Sequence, residues 1–139
     1  MPAASSAVSR RASPRVRDDL AAIFVGGCIG ALARAALADA VPADPGQWPW
    51  ATLVANLAGA FALGWISTAL PPASRGRPLL GTGLCGALTT FSTLQLELLH
   101  MLDASEVGLA ATYLSVSVVA GLVAVMAGMA AGGRRSAEA

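Results

Sequence analysis

Charge is scarce in this chain. Only 12% of its 139 residues are charged, where a soluble domain carries roughly a quarter, and 55% are hydrophobic, with a mean hydropathy of +0.65. Lysine is absent, and all nine basic residues are arginine, too few and too dispersed for a nucleic-acid face. There is one histidine, His100, and there are two cysteines, Cys28 and Cys85, with no second thiol at metal-ligand or redox spacing. No Ser/His/Asp set and no phosphate-binding glycine loop appears, so catalysis is not expected.

What the chain has instead is apolar sequence in four long blocks, at about 20–41, 49–70, 78–102 and 107–129. Each reaches the roughly 20 residues that a bilayer-spanning helix needs. None carries the polar stripe, repeating about every 3.6 residues, that marks a soluble bundle. The joints hold Pro42, Asp44, Pro45 and Gly46, then Pro71, Pro72 and Gly76, then 103–106. The expected architecture is an all-α membrane protein with four transmembrane helices. Residues 1–19 form an Arg-rich tail expected to be disordered and retained rather than cleaved, 20–129 the membrane domain, and 130–139 a second tail.

Apart from Arg34, the arginines fall in the first tail (Arg10, Arg11, Arg15, Arg17), the second joint (Arg75, Arg77) and the C-terminus (Arg134, Arg135). Four spans put those regions on one side. The other side carries Asp39, Asp44, Asp103 and Glu106 and no basic residue. The positive-inside rule then makes both termini cytoplasmic in a multi-pass protein of the cell membrane.

Residues 81–97, GTGLCGALTTFSTLQLE, break the apolar pattern with three glycines followed by Thr89, Thr90, Phe91, Ser92 and Thr93. Glycines and clustered hydroxyls suit a span only where freed backbone groups face protein, water or an ion, so the third helix is expected to be broken near its middle. Small residues also recur in steps of four that let helices approach: Gly26 and Gly30 before Arg34, Asn56 with Ala60 and Gly64, and Tyr113 with Ser117 and Gly121. Asn56 is an amide in mid-membrane, which must find partners or an aqueous path.

Taken together, GGCIGALAR at 26–34, TLVANLAG at 52–59, GALTTFST at 86–93, and Tyr113 with Ser117 resemble the Fluc (CrcB) family of fluoride channels. The resemblance covers about 20–129. It implies a dimer of two antiparallel subunits with two narrow fluoride pores and a structural sodium ion (Na+) at the centre. Carried over by position, the sodium ligands are the backbone carbonyls of Gly86 and Thr89, neutral oxygens of the kind hard cations take. The expected fluoride path is Asn56, Thr90, Phe91, Ser92, Thr93, Tyr113 and Ser117, offering amide or hydroxyl donors and, from Phe91, an electropositive ring edge. The family pattern places a second Phe three residues after the first. Here that position is Leu94.

A strongly oriented chain lacking that ring is expected to work with an oppositely oriented paralogue that supplies it. Arg34 and Glu97 lie at similar depth, about 8 to 10 Å from the outer interface, and are expected either to pair or to line an outer vestibule. The expected partners are fluoride, membrane lipid and the second subunit, and the expected role is passive export that relieves fluoride toxicity. Two alternatives remain open on sequence: a proton-coupled efflux transporter using Glu97, and a non-transporting membrane assembly subunit.

Overall fold

A computed structural model describes residues 13–44 and 46–138. Among them there is no strand, and four helical stretches are long and apolar enough to cross a membrane. The first is α1, Pro14–Ala40. It starts inside the segment expected to be a tail, so residues 14–19 are helical, while Met1–Ala12, with Arg10 and Arg11, lie outside the described residues. Proline at the first helical position fixes φ and gives up an N–H that would have no partner there. At 27 residues α1 is about 40 Å long, some 10 Å more than the hydrocarbon core, and the excess carries Arg15, Arg17, Asp18 and Asp19.

Helix α2 is Trp50–Ala69. The third span is composite: a π-helical segment Arg77–Cys85, a single turn α3 at Gly86–Leu88, and α4 at Phe91–Asp103. Between α3 and α4, Thr89 and Thr90 are extended, with ψ of 150° and 123°. A π-helix of this length is unusual, and such segments gather at functional sites. Helix α5, Val107–Glu138, runs through the expected second tail, with Arg134 in its last turns, where a cation complements the helix dipole.

Two close helix pairs organise the subunit. A side chain at Gly26 or Gly30 of α1 would run into the carbonyl oxygens of Leu79 and Leu84, so α1 and the π-helical segment touch backbone to backbone. Gly64 of α2 faces the Val125 carbonyl of α5 in the same way, and Gly128 of α5 faces the Phe61 carbonyl. The small-residue reading therefore holds at Gly26, Gly30 and Gly64. At Gly121 an added Cβ would meet nothing, because the near approach of α5 to α2 comes two turns later, at Gly128. Leu53, Leu94, Met101, Ala110 and Tyr113 form a small core where α2, α4 and α5 meet.

Gly64→Leu should push α5 off α2. We expect the variant to lose its monodisperse peak in detergent or to melt well below wild type, since overpacking a close contact costs about 1 to 3 kcal/mol or more. Gly121→Leu serves as the control, with no shift.

Candidate functional site

The interruption of the third span leaves backbone groups that a continuous helix would have paired. In a continuous helix the Thr90 N–H would bond the Gly86 carbonyl. Here it donates to Asn56 Oδ1 at 2.8 Å, while Asn56 Nδ2 donates to the Thr90 carbonyl at 3.1 Å. One side-chain amide on α2 thus takes both main-chain groups of Thr90, as a neighbouring strand would. The Thr93 N–H, which would otherwise close on Thr89, donates to Thr90 Oγ1 at 3.2 Å and caps α4. Thr90 Oγ1 also lies 3.0 Å from Thr93 Oγ1 and 3.3 Å from Ser92 Oγ. Gly86 and Thr89 are therefore two of the freed carbonyls, those whose helical donors are taken by side chains.

Arg34 closes another of the acceptors freed by the interruption. Its Nε donates to the Ala87 carbonyl at 3.1 Å from the half-buried face of α1. A cation in a span is costly unless it finds acceptors, and the interruption provides one. Glu97 goes elsewhere. Its Oε1 accepts from Thr52 Oγ1, and its Oε2 accepts from the Tyr113 hydroxyl at 2.8 Å. Of the two alternatives for Arg34 and Glu97, the pairing is not made: the two charges take separate partners.

Tyr113 is fully buried, and the Trp48 ring stands edge-on to it at 5.4 Å. Around Glu97 opens a cavity of about 390 Å³, lined by Thr52, Thr93 and His100 and by the joint between α1 and α2. A larger cavity of about 730 Å³ lies at the opposite, arginine-bearing end and contains none of the expected path residues.

The residues singled out on sequence thus fall into groups. Thr90, Ser92 and Thr93 form one hydroxyl cluster at the start of α4. Asn56 is there too, but spends two of its bonds on Thr90, leaving one amide hydrogen. Tyr113 donates its hydroxyl hydrogen bond to Glu97, and Ser117, one turn further along α5, sets a buried hydroxyl beside that of Tyr113. Phe91 points away from its own subunit, 72% exposed, whereas Leu94 is only 6% exposed, in the core against Tyr113.

Sequence reasoning missed Thr52 and Trp48. Thr52 was detectable, since it stands one turn before Asn56 on the same face of α2. The Trp48 indole N–H, buried without a partner, left no sequence signal.

A family model described as CrcB-like protein, Camphor Resistance (CrcB), matches residues 21–129. Curated relatives include fluoride-specific ion channel FluC 1 of Mycobacterium tuberculosis, 53% identical over 111 residues that make up 77% of this chain and 84% of the relative. Fluoride-specific ion channel FluC of Methanopyrus kandleri is 40% identical over 117 residues, 81% of this chain and 88% of that one. FluC 1 of Staphylococcus aureus (strain NCTC 8325 / PS 47) is 41% identical over 115 residues, 80% of this chain and 93% of that one.

Proposed function

Because the chain belongs to the CrcB-like family, we propose that it is a multi-pass membrane subunit of a fluoride-specific ion channel that lets cytoplasmic fluoride leave the cell passively. The observation that carries this reading is the match of all four spans to relatives named as fluoride-specific channels. The geometry agrees with it. Fluoride is small and tightly hydrated, so a path for it must offer donors in place of water, with little negative charge exposed. At the interruption the third span gathers three hydroxyls beside Asn56, and a cation, Arg34, stands on the neighbouring helix. The Ser117 hydroxyl, buried beside Tyr113, adds a further donor. Glu97, the only carboxylate in the interior of the third span, accepts from two hydroxyl donors.

A structural sodium ion is proposed at the interruption. Gly86 and Thr89 present neutral carbonyl oxygens whose helical donors are diverted, and Gly86 is exposed, with nothing within reach of a Cβ placed on it. Those two oxygens would hold the ion, with a second subunit completing the shell. There it would neutralise carbonyl dipoles and tie two subunits together without a charged side chain.

The second subunit is proposed to be antiparallel. A chain whose arginines, Arg34 apart, all flank one side inserts one way, with both termini cytoplasmic, and its inverted partner would be a paralogue of opposite bias. Leu94, sunk in its own core, has no ring edge to give, and Phe91, turned outward, is placed to enter the partner's path. We expect this chain alone to rescue poorly a bacterial strain deprived of its fluoride exporter, and the chain with an inverted paralogue to restore growth in fluoride fully. Accessibility labelling of cysteines placed in the joints should find a single orientation. Labelling from both sides would sink the paralogue requirement, and no rescue by any combination would count against the channel.

A further inference from the structure

The face of α4 turned away from the subunit carries a polar group that nothing in the subunit uses. The exposed residues from Phe91 to Leu102 are Phe91, Ser92, Gln95, Leu96, Leu99, His100 and Leu102. Gln95 falls between Phe91 and Ser92 around the helix, roughly 100° round from the face that packs Leu94 and Met101 into the core. Its amide makes no hydrogen bond among the described residues, and it lies eight residues from the outer end of α4 at Asp103, a depth of about 12 Å. A glutamine side chain is too short to reach the headgroups from there, and an amide facing lipid at that depth would be left unpaired at a cost of several kcal/mol. The exposed face must therefore be covered by protein or by an ion path.

Its chemistry favours the ion path. Every polar side chain exposed between Phe91 and Leu102 can donate a hydrogen bond, and no carboxylate stands among them. The Phe91 ring, one turn from Gln95, is exposed on the same side and has a weakly positive edge to offer an anion.

We propose that Gln95 lines the anion path at the subunit interface, its amide N–H groups contacting fluoride one turn outward of Phe91, and that it supplies part of the donor surface that Leu94 cannot. The proposal rests on the fluoride-channel reading, and its test separates the two. In liposomes holding the assembled channel, Gln95→Met, which keeps length and loses the donor, should slow fluoride efflux by about tenfold or more with the dimer fraction unchanged. Gln95→Asn should restore most of the rate. Wild-type efflux from Gln95→Met, or loss of efflux together with loss of the dimer, would overturn the assignment.

A second readout does not depend on flux. In a Cys28→Ser, Cys85→Ala background, Gln95→Cys in membranes should react with a small water-borne thiol reagent much faster than Val118→Cys on the exposed face of α5, and fluoride should slow the reaction. Equal, slow labelling at both positions would overturn the proposal even if the channel conducts. Fast, fluoride-protected labelling would support it even if the conduction assay failed.

Discussion

Fluoride conduction through a channel carrying Asn56→Leu is expected to fall by on the order of a hundredfold or more. The reason is the double role of one amide. Asn56 accepts from the Thr90 N–H and donates to the Thr90 carbonyl, and leucine leaves both main-chain groups unpaired inside the membrane. Each orphaned group costs about 1 to 3 kcal/mol, which is enough for the segment to rewind toward continuous helix. Rewinding would return the Thr90 N–H to Gly86 and the Thr93 N–H to Thr89, removing the pair of open carbonyls and scattering the hydroxyl cluster. Asn56→Asp, which keeps the acceptor and loses the donor, should fall between the two in efflux rate. Full conduction by Asn56→Leu would show that the amide does not hold the interruption open.

The double variant Thr52→Val, Tyr113→Phe is expected to destabilise the subunit by about 3 to 6 kcal/mol, because hydrogen bonds to a charged group are each worth about 1.5 to 3. Both donors to Glu97 disappear while the carboxylate stays half-buried between α2, α4 and α5. Adding Glu97→Met to the double variant should recover most of the loss, since the carboxylate left without its donors is then gone. Thermal unfolding in detergent reads both effects. A double variant as stable as wild type would mean that Glu97 finds water through the cavity beside it and does not depend on the two hydroxyls.

The four spans were legible because membrane helices announce themselves by length and by missing charge, and no tertiary contact is needed to see them. The site was legible by residue type more than by partnership. Asn56 and Thr90 were both singled out, but their mutual bonding depends on the register between α2 and the third span, which no local pattern encodes. Arg34 and Glu97 looked like a pair by depth alone. The carbonyl that Arg34 takes, Ala87, exists as an acceptor only because the helix is interrupted beside it. The start of α1 at Pro14 was hidden by composition, since a stretch of Arg and Asp reads as tail until it is seen to continue a helix longer than the hydrocarbon core. Gly121 misled for a related reason. Its spacing from Ser117 is right for packing, but α5 meets α2 further along, at Gly128.

The measurement that bears most directly on the function is fluoride efflux, read with an ion-selective electrode, from liposomes containing this chain alone or with an inverted paralogue, with chloride as control. The channel reading predicts rapid release of fluoride without chloride, driven by its own gradient and indifferent to an imposed proton gradient. Release that requires a proton gradient, or none from either preparation, would contradict it.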